Sequence, residues 1–246
     1  MTSEYRILPA GDTALVVEFG EQIDRAVSGR VLALARRLDE SRPAGVVETV
    51  PTFRSLMVCF DPLAVSADAL AARIADLMPP AQSVEKPGRV WRLPACYDAH
   101  VAPDLEAVAA AAGLSPRDVV ERHSATAYHV YMLGFLPGQA YLGDVPAELA
   151  MPRRPTPRPR IRAGSLAMTS TMTCIFPLET PCGWHIVGRS PVPLWQGGPR
   201  PQALLRPGDT VRFAPVSLRE YERLAARAAD GTLEIRPAEA PLGAAA

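Results

Sequence analysis

The sequence lacks several features that would place a protein in a common class at once. Its 26 basic residues balance 26 acidic residues, so no global positive field of the kind that binds nucleic acid is present. No apolar run approaches the roughly 18 residues of a membrane-spanning helix. The first residues also lack the cationic and apolar segments of a signal peptide. We therefore expect no nucleic-acid partner and no membrane association.

Cysteine is scarce, and the standard nucleotide loops are missing. The four cysteines are scattered rather than paired at the spacings of a disulfide framework or a zinc site. They are Cys59, Cys96, Cys174 and Cys182. We expect reduced thiols in a cytoplasmic protein and no metal site in this chain. Neither a P-loop nor a GxGxxG loop occurs, so neither of these loops would hold a nucleotide here.

The first part of the chain alternates strand and helix signals. The 246 residues suffice for one large or two modest domains. Up to about residue 93 the order is β-α-β-β-α-β, the ferredoxin-like split βαβ arrangement, with residues 90–93 as the closing strand. Prolines and a glycine across residues 79–88 indicate a linker. We predict an N-terminal ferredoxin-like domain of residues 1–85 and a second domain of residues 86–246.

The second part predicts a β-rich domain. A capping box at Ser115 opens a helix that runs to about His123. After it, apolar runs of about 4 to 8 residues are bounded by Gly or Pro, a pattern typical of a barrel or sandwich. Fourteen of the 26 prolines fall between residues 137 and 215, which excludes long helices there. The overall prediction is an α+β protein.

Residues 134–195 carry the strongest functional signal. No Asp or Glu lies between Glu148 and Glu179, and five arginines fall within ten positions of that stretch. They are Arg153, Arg154, Arg158, Arg160 and Arg162. Alternating prolines predict an extended backbone that presents these guanidinium groups to carboxylate or phosphate groups. A solvated Arg-Pro loop is the alternative.

Glycine-rich turns surround this segment. Around Phe135 and Tyr141, three glycines and a proline would let the main chain approach a ligand while the two rings form a wall. A tight barrel corner is the alternative. Residues 181–184 and 188–189 allow the same two interpretations, and Arg189 could add an anion contact.

Two of the histidines stand in informative positions. His123 lies at the end of a predicted helix, where it could act as a general acid or base or simply cap the helix. His129 and Tyr131 share one face of the strand that follows, because side chains in a strand alternate between faces.

Together these motifs closely resemble the allophanate hydrolase subunit 1 family, which includes the B subunit of bacterial 5-oxoprolinase and the Kip inhibitor of a histidine kinase. The resemblance covers essentially the whole chain. It is carried by His123, YMLGFLPG at 131–138, YLG at 141–143, PRR at 152–154, TPR at 156–158, AGS at 163–165, Pro181, GW at 183–184 and GR at 188–189, with GD at 11–12 and PT at 51–52.

The resemblance implies a small N-terminal α/β domain followed by a cyclophilin-like β-barrel. It also implies a hetero-oligomer with a C-type (allophanate hydrolase subunit 2-like) subunit and an A-type subunit. Such a complex converts a small amide, 5-oxoproline, with ATP and water to glutamate, ADP and phosphate, so the chain would be a non-autonomous hydrolase subunit. ATP and its magnesium ion would be bound by the complex.

The resemblance also suggests roles for individual residues. His123 and Tyr131 are expected to position or exchange protons. The expected substrate- and anion-binding residues are Arg153, Arg158, Arg160, Arg189, Phe135, Pro137, Gly138, Tyr141, Ser165 and Trp184.

This chain departs from the family pattern at Gln139, at residues 169–173 and at Cys182. Two other functions stay open. One is a Kip-type kinase inhibitor that uses the barrel surface. The other is a carboxyltransferase-like component of urea or allophanate metabolism, with biotin on another chain, since Lys86 is the only lysine here and is not in a biotin-carrier context.

Overall fold

The structure is a computed structural model that describes residues 5–80, 88–198 and 202–238. The contacts divide the chain into two compact units, Met1–Pro87 and Gly88–Ala246. The predicted domain boundary between residues 85 and 86 falls outside the described residues. Among the described residues, every helix is too short or too polar to cross a lipid bilayer.

The first unit is a four-stranded antiparallel sheet with two helices. Its elements are β1 (Arg6–Pro9), β2 (Ala14–Glu18), α1 (Arg25–Ser41), β3 (Val46–Pro51), β4 (Ser55–Phe60) and α2 (Ala67–Asp76). The sheet order is β1-β2-β4-β3. Strands β2 and β3 are both antiparallel to β4, so they run parallel to each other on either side of it. With α1 as their connection, they form the split βαβ unit that the sequence indicates.

The closing strand of this sheet is not the predicted one. The sequence pattern predicts that residues 90–93 complete the sheet, but they belong to a strand of the second unit. The edge beside β2 is filled instead by β1, which pairs antiparallel with β2 after a short turn. The expectation was wrong because β1 precedes β2 directly in the sequence and can pair with it through a tight turn, so it occupies that edge of the sheet. Residues 6–9 are too short a run to be predicted as a strand.

Periodicity explains the packing of this unit. In α1, Val31, Leu34 and Leu38 recur at helical spacing and are at most 1% exposed. In β4, Leu56 and Val58 alternate with half-buried neighbours and are fully buried. Together these faces form one hydrophobic core between the helices and the sheet.

The second unit contains the remaining elements. They are β5 (Val90–Cys96), α3 (Leu105–Ala112), α4 (Pro116–Ala125), β6 (Tyr128–Leu133), β7 (Ala140–Gly143), a 3₁₀ turn (Ala147–Leu149), β8 (Arg158–Ile161), β9 (Ser165–Thr169), β10 (Met172–Ile175), β11 (Thr180–Cys182), β12 (His185–Arg189), β13 (Trp195–Gln196), β14 (Gln202–Ala203), β15 (Thr210–Val216) and α5 (Leu218–Ala229). The predicted capping box is present, since the Asp118 N–H donates to Ser115 Oγ at 3.2 Å and the Ser115 N–H donates to Asp118 Oδ2 at 3.1 Å.

Seven of these strands form a closed barrel in the order β10-β7-β6-β15-β5-β12-β9, with β9 pairing back to β10. Strands β5 and β15 are parallel, in register from Val90 opposite Thr210 to Cys96 opposite Val216. The other neighbours in the barrel are antiparallel. The α+β class with a β-barrel is therefore confirmed. Strands β8 and β11 pair separately as a two-stranded ribbon.

Candidate functional site

The ribbon of β8 and β11 contributes to two cavities in the second unit. The first, which we call the aromatic cavity, has a volume of about 200 Å³. Its lining includes Phe135, Gln139, Tyr141, Arg153, Phe176, Cys182 and Trp184. The second, which we call the arginine cavity, has a volume of about 260 Å³. Its lining includes His100, Arg158, Arg160, Arg162, Ser165 and Arg189.

A buried carboxylate anchors the ribbon. Asp104 is 3% exposed and accepts two hydrogen bonds from Arg158, from Nη1 to Oδ2 at 2.8 Å and from Nη2 to Oδ1 at 2.7 Å. It also accepts from Arg154 Nη1 at 2.9 Å and from the Ile186 N–H at 2.7 Å. Burial alone would raise the pKa of Asp104, but these bonds and the arginine charges hold it below its ordinary value. Arg158 and Arg154 thus fix the segment that carries the other arginines.

The arginine cavity is positively charged. Its lining, as far as the structure describes it, includes no Asp or Glu. Arg160 pairs with Glu179 at 2.6 Å, and Arg189 donates from Nε to the Ala163 carbonyl at 2.9 Å while lying over the Tyr221 ring. Arg162 has no ion-pair partner among the residues that the structure describes. This arrangement suits the binding of a phosphate or carboxylate group.

Aromatic rings form the walls of the aromatic cavity. Trp184 meets Tyr141 and Phe176 edge-on, with ring centroids 6.1 and 6.2 Å apart. Burial raises the pKa of Tyr141, so its hydroxyl stays protonated at neutral pH. Such walls bury the apolar body of a small ligand and leave its orientation to a few polar groups.

The loop between β6 and β7 forms one rim of this cavity. Phe135 adopts a left-handed backbone conformation with φ of 70°, and the residue is 67% exposed. Gly138 has φ of 75°, and a Cβ atom there would lie 2.6 Å from the Leu194 carbonyl oxygen. Glycine is therefore required at 138, whereas at 135 a bulky residue is held in a disfavoured conformation.

Two polar groups of the aromatic cavity lack a counterpart within the described ranges. Gln139 is 1% exposed; its Nε2 contacts Cys174 Sγ at 3.9 Å, and its buried Oε1 has no hydrogen-bond partner there. Arg153 lines the same cavity and has no ion-pair partner in those ranges. The cavity therefore presents one unpaired acceptor and one unpaired cation.

The cysteines near this cavity are not activated nucleophiles. Cys182 Sγ accepts from the Trp184 N–H at 3.2 Å, and burial raises the pKa of its thiol. Cys174 is completely buried, and its pKa is raised further by the same cause. Both residues thus stay neutral thiols, which contribute apolar volume rather than thiolate chemistry.

The two predicted catalytic residues do not line either cavity. His123 is fully buried: its Nδ1 lies 2.8 Å from the Tyr97 hydroxyl, its Nε2 lies 3.2 Å from Thr173 Oγ1, and its ring stacks on Phe213. Because Thr173 Oγ1 donates to the Ala167 carbonyl, His123 must donate from Nε2 and accept at Nδ1. Burial lowers the pKa of His123 to about 3, so it is a neutral residue of the core.

Tyr131 lies apart from His123. Its hydroxyl donates to Asp144 Oδ1 at 3.0 Å, and its ring meets His129 at a centroid distance of 4.6 Å, as expected for residues on one strand face. Tyr128, on the other face of β6, contacts the His123 ring. His123 and Tyr131 therefore lie on different faces of β6, and proton exchange by either residue stays a prediction.

The other predicted site residues divide between the two cavities. The aromatic cavity contains Phe135, Tyr141, Arg153 and Trp184, and the arginine cavity contains Arg158, Arg160, Ser165 and Arg189. Pro137 and Gly138 shape the loop without lining either cavity. Asp104 is not identifiable from the sequence, because an isolated Asp before a short helix gives no sign of two arginine partners 50 and 54 positions later.

Comparison with known proteins finds one family model and several relatives that match most of this chain. Residues 5–205 match the family described as carboxyltransferase domain, subdomain C and D. The chain is 37% identical over 235 residues to the B subunit of the 5-oxoprolinase of Bacillus subtilis, covering 90% of this chain and 97% of the relative. It is also 37% identical over 206 residues to the B subunit of the 5-oxoprolinase of Escherichia coli O157:H7, covering 83% and 93% respectively.

Among solved structures, the crystal structure of TTHA0988 is similar with a TM-score of 0.74 and 37% sequence identity. The alignment covers 82% of this chain and 40% of the TTHA0988 chain, so this chain matches less than half of that longer protein.

Proposed function

Because the chain belongs to the carboxyltransferase domain family, subdomain C and D, and matches named B subunits over nearly their whole length, we propose that it is the B-type subunit of an ATP-dependent 5-oxoprolinase. The observation that carries this proposal is the 37% identity that extends over 97% of the Bacillus subtilis relative. An alignment of that extent includes both units of the chain, and not the barrel alone.

The proposed reaction opens the lactam of 5-oxoproline. The amide oxygen is phosphorylated by ATP, which converts an unreactive amide into a good electrophile. One water molecule then adds to the activated carbon and the C–N bond of the ring breaks, and a second releases the phosphoryl group as phosphate. The products are glutamate, ADP and phosphate. The chemistry needs anion-binding groups for both the substrate carboxylate and the transferred phosphoryl group.

Two cavities of the second unit support this chemistry, one for the phosphoryl group and one for the substrate. The arginine cavity presents guanidinium groups, with no carboxylate among its described lining residues, and it fits the phosphoryl group. The aromatic cavity presents apolar walls with Arg153 and fits a small organic acid.

The proposal includes a C-type and an A-type partner subunit. Among the described residues, no three His, Cys, Asp or Glu side chains form a group that could hold a metal ion. Magnesium would accompany the nucleotide, since Mg²⁺ in such sites is held mainly by phosphate oxygens and one or two carboxylates. We assign those carboxylates to the partner subunits.

The test is reconstitution. The chain is co-expressed with a C-type and an A-type subunit, and glutamate release from 5-oxoproline is measured with and without ATP. We expect release that requires ATP and all three chains. Glutamate release that persists when this chain is omitted would refute the proposal.

The family description supports a second candidate, a carboxyltransferase component, and a relative that is 25% identical to this chain is named urea amidolyase. The same complex would then need a biotinylated chain and bicarbonate. Biotin-dependent carboxylation of urea, with no glutamate formed from 5-oxoproline, would favour this second candidate over the first.

A further inference from the structure

The aromatic cavity contains an unsatisfied acceptor inside the protein. Gln139 is 1% exposed, and its Oε1 has no hydrogen-bond partner in the part of the chain that the structure describes. A buried polar atom without a partner destabilises the folded state, and most such atoms in proteins are paired. An apolar residue of similar size, such as Met, would fill this position without that penalty. The orphan oxygen therefore points to a donor that arrives with a ligand.

Arg153 supplies the second polar contact of the cavity. Its guanidinium has no ion-pair partner among the described residues, whereas Arg154 and Arg158 are both fixed on Asp104. The described lining of the aromatic cavity includes no Asp or Glu, so a cationic ligand would meet an uncompensated positive charge. An anionic group is the complement, and a carboxylate can bind a guanidinium through two hydrogen bonds.

The size and walls of the cavity limit the rest of the ligand. Its volume of about 200 Å³ is below the range of about 300–1,000 Å³ that is usual for drug-sized ligands. Trp184, Tyr141 and Phe176 supply flat apolar surfaces. These features select a compact, ring-sized molecule rather than a nucleotide.

The conformation of Phe135 points to the same place. A non-glycine residue with φ of 70° is disfavoured, and such strain persists only where the surrounding structure imposes it, most often at ligand sites. The ring is two-thirds exposed at the rim of the cavity. A ligand in the cavity would cover part of this ring.

We propose that the aromatic cavity binds a small secondary amide that carries a carboxylate, with Gln139 Oε1 accepting the amide N–H and Arg153 pairing with the carboxylate. Gln139 is then a specificity-determining residue, at a position where this chain departs from its family pattern. The choice of 5-oxoproline as the member of this class rests on the proposed function. The amide carbonyl is left free for activation.

The test measures binding of three probes to the full-length chain by titration calorimetry. The probes are 5-oxoproline, its N-methyl derivative, which lacks the N–H, and 2-pyrrolidinone, which lacks the carboxylate. We expect the N-methyl derivative to bind about 10-fold or more weakly than 5-oxoproline, because the donor to Gln139 is lost. We expect 2-pyrrolidinone to bind about 10- to 100-fold more weakly, because a charged hydrogen bond is lost.

Two variants assign these effects to residues. Gln139→Met should remove the preference for 5-oxoproline over its N-methyl derivative, and its melting temperature should be unchanged or higher because an unsatisfied oxygen is removed. Arg153→Met should remove the preference for 5-oxoproline over 2-pyrrolidinone but keep the preference against N-methylation. The matched controls, Gln196→Met and Arg117→Met on exposed positions, should bind all three probes like the unchanged chain.

Several outcomes would overturn the inference. They are no saturable binding of 5-oxoproline at millimolar concentration, equal binding of the N-methyl derivative by the unchanged chain, or a preference that survives Gln139→Met. These outcomes are separable from failure of the proposed function. The first case is a complex whose ATP-dependent glutamate release needs this chain, but whose KM for 5-oxoproline does not change with Gln139→Met. This result refutes only the cavity assignment. A chain that binds the probes as expected in a complex that releases no glutamate refutes only the 5-oxoprolinase assignment.

Discussion

Replacing His123 by Gln should flatten the dependence of stability on pH. The ordinary pKa of His is 6.5, and burial in the barrel lowers the pKa of His123 to about 3. The unfolded chain therefore takes up a proton near pH 6.5, whereas the folded chain does not until about pH 3. Stability that is fully present above pH 6.5 is lost progressively as the pH falls through this interval.

The expected magnitude follows from the two pKa values. Between about pH 7.5 and about pH 5.5 the linkage of His123 removes about 1.4 kcal/mol from the free energy of unfolding. Over the whole interval down to about pH 3 it amounts to about 5 kcal/mol. Two other titratable groups touch the ring, Tyr97 and Tyr128, and burial raises the pKa of both, so they remain neutral throughout.

The assay is urea denaturation of the unchanged chain and of His123→Gln at about pH 7.5 and at about pH 5.5. The variant should be less stable at the higher pH by about 1–3 kcal/mol, because hydrogen bonds to Tyr97 and Thr173 are disturbed. It should nevertheless lose about 1.4 kcal/mol less than the unchanged chain on acidification. Equal losses in the two proteins would refute the placement of a neutral, buried imidazole at this position.

Further predictions concern the ribbon and the loop. Asp104→Asn should destabilise the protein by about 3 kcal/mol, because two arginines lose a buried carboxylate, whereas Glu179→Gln should cost less than about 1 kcal/mol, because its pair with Arg160 is exposed. Equal costs in chemical denaturation would contradict this ranking. Phe135→Gly should raise the free energy of unfolding by about 1 kcal/mol, because glycine adopts the left-handed backbone conformation without strain. It should also weaken binding of 5-oxoproline, because part of the cavity rim is removed. A lower melting temperature would exclude the first effect.

The elements that can be predicted from the sequence are those whose signals are local. The Ser115 capping box, the apolar stripe of α1 and the short Gly- and Pro-bounded runs each reflect interactions within a few residues. The assignment of residues 90–93 to the first sheet failed because strand pairing is decided between distant segments. In the structure, Val90 pairs with Thr210, which is 120 positions later.

The same limit applies to the candidate site. Residues 153–162 are visibly rich in arginine, but their sequence does not distinguish arginines that bind a ligand from those that hold the fold. That distinction depends on Asp104, which pairs with Arg154 and Arg158. Arg153 and Arg162 have no ion-pair partner in the described parts of the chain. His123 shows the same limit: its place at a helix end can be read from the sequence, but its complete enclosure in the barrel cannot.

The role proposed for Gln139 depends on both the sequence and the structure. In the sequence it is only a departure from the family pattern, in a loop that also contains two glycines and a proline. In the structure, a turn joins Gly134 to Gln139, and the backbone N–H groups of both residues are hydrogen-bonded. Gln139 lines the aromatic cavity, and its Oε1 has no hydrogen-bond donor among the described residues. A buried acceptor without a partner costs stability, and the ligand proposed above would supply the donor that Oε1 lacks.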